Sequence, residues 1–147
     1  MKKEIKLVPF KMADFPQVIL LLKQLWPNKK INNRNLSKTI KEQLKDPKKY
    51  LILMIKDKDK TIGLITVSSR LTWEFEGNLG SIDEFVIDKK YQNLGIGTQV
   101  IQKTMKICKK QRMKGIYLIS AFHRKEAHCF YEKNGFKKGS YQFEQAL

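Results

Sequence analysis

The chain has 147 residues, of which 30 are lysine or arginine and 14 are aspartate or glutamate, so its formal net charge is +16. Apolar residues make up 41% of the sequence, which is enough for one packed core, and the length predicts a single domain over residues 1–147. The unbroken apolar runs, Val18 to Leu22 among them, are far shorter than the ~20 residues of a membrane span, which excludes a transmembrane helix.

The amino-terminal segment and the cysteines indicate the cellular compartment of the protein. No apolar segment comes after the amino-terminal lysines, so a secretory signal is not expected. Cys108 and Cys129 lack the spacing of a metal site and are too few for a disulfide framework. We therefore expect a cytoplasmic protein that binds no metal.

The distribution of charge is more informative than its sum. Only four of the thirty basic residues are arginine, the side chain best suited to phosphates and base edges, so most of the excess is expected to be solvated lysine. No basic residue occurs between Leu71 and Asp88, whereas this segment contains five acidic side chains: Glu74, Glu76, Asp83, Glu84 and Asp88. One acidic segment thus interrupts a basic chain.

The first half of the chain alternates between strand and helix patterns. The patterns predict a strand over Ile5–Pro9, a helix capped by Asp14 and ended by Trp26-Pro27-Asn28, a helix over residues 35–44, and strands over residues 50–56 and 61–70. The polar segment Asp57-Lys58-Asp59-Lys60 predicts a hairpin turn between the two strands.

The second half predicts a strand–helix–strand–helix order. A loop with Gly77, Asn78 and Gly80 is expected before a strand over residues 81–88. Next come a helix over residues 97–111, a strand IYLISAF after Gly115, a helix over residues 125–134 and a closing strand within residues 137–146. Strands before helices at both ends favour an α/β or α+β domain.

A glycine-containing segment lies between a strand and a helix. Gln92, Gly95 and Gly97 form a Q-x-x-G-x-G pattern, whose glycines would let an anion approach the free N–H groups at a helix N-terminus. A dinucleotide fingerprint would need glycine where Val100 stands, and a Walker loop would need lysine between Gly97 and Thr98. The pattern predicts phosphate binding without either nucleotide motif.

Together with FYEKNGF, residues 130–136, this segment resembles the two sequence motifs of GNAT-superfamily N-acetyltransferases. Within that superfamily, AFHRKEAHCFYEKNGF is similar to aminoalkylphosphonate and aminoglycoside acetyltransferase-like proteins. The resemblance implies an α/β (α+β) GNAT fold: a central mixed, mostly antiparallel sheet of six or seven strands, splayed in the middle and flanked by about four helices. It also implies acetyl-CoA as co-substrate.

The resemblance implies roles for individual residues. The pyrophosphate of acetyl-CoA would bind the loop formed by Gln92, Asn93, Leu94, Gly95, Ile96, Gly97 and Thr98. The pantetheine arm would pair with the strand at Phe85, Val86 and Ile87, and Tyr131 would protonate the departing thiolate. Many members have an asparagine seven residues before the tyrosine, where this chain has Arg124, a candidate for a phosphate or phosphonate contact.

The acceptor amine needs a group that removes its proton. By counting back from Gln92, Asp83 matches the position of an acidic base in several members. Neighbouring strand residues face opposite sides, so only one of Asp83 and Glu84 is expected to face the cleft, and Glu84 remains an alternative base. Trp73, Glu74 and Glu76 are expected over the acceptor cleft, where His123 is a further candidate. His128 is expected to pair with Glu132.

We therefore expect direct transfer of an acetyl group from acetyl-CoA to a primary amine of a small molecule. The alternatives are an aminoalkylphosphonate or an aminoglycoside-like polyamine as the specific acceptor, or a basic nucleic-acid-binding module without catalysis. The last alternative rests on a partial stripe of lysines: Lys103, Lys106, Lys109, Lys110 and Lys114. No membrane partner is expected, and a homodimer stays open.

Overall fold

The computed structural model describes residues 3–147 and has a mixed, five-stranded sheet flanked by four helices. The strands are β1 (Ile5–Pro9), β2 (Tyr50–Asp57), β3 (Lys60–Thr72), β4 (Gly77–Ile87) and β5 (Gly115–Leu118). The helices are α1 (Phe15–Leu25), α2 (Asn33–Leu44), α3 (Ile96–Lys110) and α4 (Lys125–Lys133). The strands lie in chain order, antiparallel from β1 to β4, with β5 parallel to β4.

The α/β class and the mostly antiparallel sheet are confirmed, whereas the expected strand count is not. The described residues form five strands rather than six or seven, and residues 137–147 form neither strand nor helix. Tyr141 and Phe143 alternate as a strand would, yet they are 78% and 94% exposed. The prediction of a closing strand was wrong, because alternation makes a stable strand only where a neighbouring strand pairs with its backbone.

Both faces of the sheet are covered by helices. Leu53 and Ile55 of β2 pack in the cluster that contains α3, and Ile52 and Met54 pack in the cluster that contains α1 and Ile40 of α2. A strand buried on both faces has a continuous apolar sequence rather than an alternating one, as ILMI in β2 does. No helix within residues 3–147 has the length and apolarity needed to cross a bilayer.

A bulge in β4 reverses the direction of its side chains near the middle of the strand. Thr66 of β3 pairs with Glu84, but the next β3 residue, Val67, pairs with Ile82, so Asp83 is an extra residue. Ile82 packs in the α3-side cluster and Val86 in the α1-side cluster, although residues four apart on a regular strand face the same side.

The turn between β3 and β4 lies earlier than the sequence suggested. Gly77 and Gly80 were expected in a loop, but they pair with Thr72 and Ser69 within the strand ladder. The turn comprises residues 73–76, with Glu76 at φ 50° and its N–H donating to Trp73 O at 3.2 Å. The prediction relied on glycine as a turn residue, whereas pairing with β3 determines where β4 begins.

The start of α1 also differs from expectation. Asp14 precedes α1, but its side chain does not cap that helix. Its Oδ2 accepts the N–H of Lys11 at 2.9 Å, which closes the short 3₁₀ turn Met12–Asp14. Pro16 stands in the first turn of α1, where no intrahelical N–H bond is lost.

Candidate active site

The loop between β4 and α3 presents a helix N-terminus in open space. After β4, the chain makes the 3₁₀ turn Lys89–Tyr91 and passes through two residues with positive φ, Asn93 at 62° and Gly95 at 74°. Gln99 N–H donates to Gly95 O at 3.4 Å, so the N–H groups of residues 96–98 precede the hydrogen-bond ladder of α3. Such N–H groups and the positive end of the helix dipole suit a phosphate.

The two glycines of the loop have different physical roles. Gly95 adopts a left-handed conformation, and a Cβ built on it would have no atom within 4 Å. A Cβ on Gly97 would lie 2.9 Å from Cζ of Phe130. Gly95 therefore keeps the space in front of the helix N-terminus clear, whereas Gly97 lets α4 pack against α3.

Side chains hold the loop in place. Gln92 Nε2 donates to Ile87 O at 2.8 Å, and Asp88 Oδ1 accepts the N–H of Lys90 at 3.0 Å. The ring of Tyr91 lies beneath the ammonium groups of Lys3 and Lys60, at 5.0 and 5.4 Å from the ring centroid. The Gln92 side chain thus makes a hydrogen bond within the protein, and the backbone N–H groups of residues 96–98 are the ones that could contact an anion.

A cleft of about 540 Å³ connects this loop to the ends of β4, α1 and the start of α4. It brings together six of the residues that the sequence indicated, namely Phe85, Val86, Ile87, Gln92, His123 and Arg124. Thr98 lines a separate groove of about 570 Å³ between α3 and α4, together with Lys106, Lys109 and Lys133. The groove thus begins at Thr98 in the first turn of α3, and the cleft includes Gln92 of the loop before that helix.

Arg124 has a partner inside the protein. Its Nη2 donates to Leu25 O at 2.6 Å, the carbonyl of the last residue of α1. A cation at a helix C-terminus is favourable because the last carbonyls lack intrahelical partners. Arg124 therefore joins the start of α4 to the end of α1 across the cleft, a role that the sequence did not indicate.

Tyr131 lies in an aromatic cluster on α4. Its ring is 5.3 Å from that of Phe130 and 5.7 Å from that of Phe136, and Phe130 in turn lies 6.2 Å from Phe85 of β4. Burial raises the pKa of the Tyr131 phenol, and the positive charge of Arg124 opposes that shift. The phenol is thus protonated at neutral pH and is able to donate a proton.

The neighbouring carboxylates Asp83 and Glu84 lie in different environments. Asp83, the bulged residue, is exposed and accepts a hydrogen bond from Ser81 Oγ at 2.8 Å. Glu84 is partly buried and accepts a hydrogen bond from the Thr66 hydroxyl. Burial raises the pKa of Glu84, the Thr66 hydrogen bond lowers it, and the nearby charge of Asp83 raises it.

Thr66 is a hydrogen-bond partner of Glu84 that sequence reasoning missed. It stands in β3 within a run of apolar and small residues, with no charge and no motif to mark it. Its connection to Glu84 depends on the cross-strand pairing of residues 18 positions apart. Only a correct register of β3 against β4 would have revealed it.

Three candidate acceptor residues lie away from the cleft. Trp73, Glu74 and Glu76 form the β3–β4 turn, and the β4 residues between Glu76 and Glu84 span roughly 25 Å at strand geometry. Trp73 is 98% exposed. The acidic segment is therefore spread along the length of β4 and does not form one patch beside the cleft.

The two histidines also differ in position. His123 lines the cleft, whereas His128 Nε2 lies 2.9 Å from Ala121 O. Glu132, the expected partner of His128, instead has an oxygen 3.3 Å from Lys138 Nζ. The i,i+4 pair was not found because each residue has another partner. Cys108 is buried, as expected of a core residue, and burial raises the pKa of its thiol to about 11.

Comparison with known proteins identifies the class. Residues 16–136 match the model of the acetyltransferase (GNAT) family, so the chain belongs to this family. Members use acetyl-CoA as co-substrate and are acyl-CoA-dependent N-acetyltransferases. The uncharacterized protein YxbD of Bacillus subtilis (strain 168) is 31% identical over 84 residues, 57% of this chain and 48% of YxbD. The chain thus spans about half the length of this curated relative.

Solved structures share the fold at low sequence identity. A possible acetyltransferase from Clostridium difficile 630 has a TM-score of 0.83 at 21% identity, and the match covers 97% of each chain. An aminoglycoside acetyltransferase from an uncultured soil metagenomic sample has a TM-score of 0.79 at 18% identity, covering 97% of this chain and 96% of that one. These likenesses establish the fold.

Proposed function

We propose that this protein, as one domain over residues 1–147, transfers an acetyl group from acetyl-CoA to a primary amine of a small molecule within a ternary complex. Glu84 is the proposed general base and Tyr131 the proposed general acid. The observation that carries this proposal is the partly buried Glu84 carboxylate, which lies on β4 one residue before the three that line the cleft, Phe85, Val86 and Ile87.

The proposed base must take a proton from an alkylammonium ion. A general base works best when its pKa approaches the working pH, and the burial of Glu84 moves its pKa in that direction. Asp83 is exposed, and its hydrogen bond comes from the adjacent Ser81. These environments favour Glu84 over Asp83, although the count from Gln92 favoured Asp83.

The proposed reaction is an acyl substitution. The amine nitrogen attacks the thioester carbon, the amine proton passes to Glu84 directly or through a water, and the carbon–sulfur bond breaks. The departing thiolate takes a proton from Tyr131, whose partly buried phenol holds its own proton at neutral pH. Both substrates bind at once, so positioning supplies much of the acceleration.

The α3 N-terminus is the proposed site of the pyrophosphate. The open space at Gly95 and the N–H groups of residues 96–98 support this role. The pantetheine arm would follow the cleft along Phe85, Val86 and Ile87. Since Arg124 already binds Leu25 O, its proposed contribution to acetyl-CoA binding is to shape the cleft rather than to contact a phosphate.

The proposed acceptor is a small primary amine, and the cleft favours one that also carries an anionic group. His123, Arg124, Lys125 and Lys89 line the cleft, with Glu126 as the opposing charge. An aminoalkylphosphonate fits this balance better than a polycation, whose expected partners Glu74 and Glu76 lie in the distant turn. His123 is the proposed contact for such an anion.

A free-thiol release assay with acetyl-CoA tests the proposal across aminoalkylphosphonates, polyamines, aminoglycosides and amino acids. We expect thiol release that depends on one amine class and that Glu84→Gln reduces by about 100-fold or more. Asp83→Asn is the matched control, because it neutralises the exposed neighbour. Loss of activity in Asp83→Asn but not in Glu84→Gln would reverse the assignment of the base.

A further inference from the structure

Thr66 makes two hydrogen bonds with the same residue at the β4 bulge. Its hydroxyl donates to Oε2 of Glu84 and accepts the backbone N–H of Glu84 at 3.0 Å. A hydroxyl has one proton to donate, and here the backbone contact leaves that proton for the carboxylate. Threonine is also stiff at χ1, so both contacts keep one geometry.

We propose that Thr66 is a positioning residue for the reaction, which holds the Glu84 carboxylate in the orientation and ionised form that accepts the amine proton. This inference rests on the proposed role of Glu84 as the base. In this role Thr66 acts through Glu84 and not directly on the reacting atoms. It extends the functional site from β4 to β3.

The bulge explains why a side chain is needed at this point. Asp83 is the extra residue, and just beyond it the Glu84 N–H bonds to a side-chain oxygen of the neighbouring strand. A carboxylate held only by its own rotamer could turn toward solvent, because Glu84 is only partly buried. The Thr66 hydroxyl fixes both the backbone and the side chain of the same residue.

Among residues 3–147, the Thr66 hydroxyl is the group that favours the charged form of Glu84. Burial, the largest influence, raises the pKa of Glu84, Thr66 lowers it, and Asp83 on the same strand raises it. The buried α1 residues in the cluster with Val86 are Val18, Leu21 and Leu22, and Phe15 and Leu25 of the same helix pack against that cluster. On β5 the titratable side chain is Tyr117, which pairs with Ser81.

The test is the pH dependence of kcat/KM for the variant Thr66→Val, which keeps the side-chain shape and removes the hydroxyl. We expect the acid limb of the profile to move to higher pH, because the carboxylate loses a hydrogen bond that favours its charged form. At a pH on that limb, kcat/KM should fall about tenfold or more, because a hydrogen bond to a charged group is worth more than one between neutral groups. An unchanged limb would overturn the proposal.

Two further variants separate positioning from general damage to the strand. Thr66→Ser retains the hydroxyl and should restore the wild-type position of the acid limb. Ser68→Ala removes a hydroxyl from the same strand opposite Ser81 rather than Glu84, and it should leave the limb in place. If Thr66→Val does not fold, Thr66→Ala gives the same measurement. A limb that Thr66→Ser fails to restore contradicts the proposal.

A double variant distinguishes this inference from the proposed function. In a Glu84→Gln background, Thr66→Val should cause no further loss of kcat/KM, because its effect requires the carboxylate. An equal loss in both backgrounds would show a role independent of Glu84 and refute the inference. If Glu84→Gln alone retains full activity, the proposed base fails, and the positioning role of Thr66 fails with it.

Discussion

At the residue scale, the proposed chemistry uses two partly buried groups whose pKa values burial raises in the same direction. For Glu84 a raised pKa strengthens the base, and for Tyr131 it keeps the acid protonated. Each has an opposing partner: the Thr66 hydroxyl limits the shift of Glu84, and the charge of Arg124 limits that of Tyr131. Burial therefore suits both the proposed base, Glu84, and the proposed acid, Tyr131.

Tyr131→Phe tests the acid at this scale. The phenyl ring keeps the contacts with Phe130 and Phe136, so the variant removes only the hydroxyl. We expect kcat to fall by about 100-fold while the Kd of acetyl-CoA, measured by calorimetry, changes little. Tyr50→Phe, a phenol on β2, is the control. Lost binding with normal turnover at saturation would contradict the acid role.

Glu84→Gln also predicts a change in stability. The pKa of Glu84 is raised in the folded protein, so burial of its carboxylate costs nothing below the unfolded pKa near 4.5 and costs most above the folded pKa. The Tm of Glu84→Gln should therefore match wild type at about pH 4 and exceed it at about pH 8. Thermal melts across this pH range test the prediction. If the difference in Tm between Glu84→Gln and the wild type is the same at every pH, burial of the carboxylate is not the cause.

At the element scale, the site is assembled where four elements meet. The loop connects the end of β4 to the N-terminus of α3. On the other side of the cleft, α1 and the start of α4 are joined by the hydrogen bond from Arg124 to Leu25 O. Gln24 Oε1 accepts the Lys89 N–H at 3.0 Å and links α1 to the loop as well. The end of α1 thus fixes both sides of the cleft relative to each other.

Gly95→Leu tests the loop, with Gly135→Leu as a matched control. Both glycines have positive φ and open surroundings, so each variant should lose about 1–2 kcal/mol of stability from the left-handed conformation. Only Gly95→Leu should abolish acetyl-CoA binding, because its side chain fills the space before the α3 N-terminus. Unaltered binding by calorimetry would remove the phosphate site from this loop.

At the scale of the whole molecule, the net charge is +16 and the proposed co-substrate, acetyl-CoA, is a polyanion. Exposed lysines of α3, among them Lys106 and Lys109, line the groove beside Thr98. Such a surface attracts anions over distances longer than a direct contact. A basic surface of this kind would also attract nucleic acid, which is the alternative function that the net charge alone suggests.

Salt dependence separates these two uses of the charge. Raising the salt from about 0.1 M to about 1 M shortens the Debye length from about 10 Å to about 3 Å, so the KM for acetyl-CoA should rise while kcat stays nearly constant. A KM that does not respond to salt would contradict electrostatic capture. Steeply salt-dependent binding to duplex DNA without acetyl-CoA turnover would support the nucleic-acid alternative.

The sequence by itself determined the family, the loop and most helices and strands, because these depend on local patterns. The α3 N-terminus follows from Gly95 and the apolar periodicity after it, and both lie within a few residues. Tyr131 was marked by its neighbours in FYEKNGF. Such features require no knowledge of which distant residues meet.

Only the tertiary structure decided the partners of the candidate residues. The bulge that separates Glu84 from Asp83 is a one-residue shift of β4 against β3, and it alone brings Thr66 to the carboxylate. Arg124 meets Leu25 across 99 residues, and residues 137–147 pair with no strand despite their alternation. Cross-strand register and long-range packing set these features, because hydrogen bonds between segments depend on how the segments pack and not on their own composition.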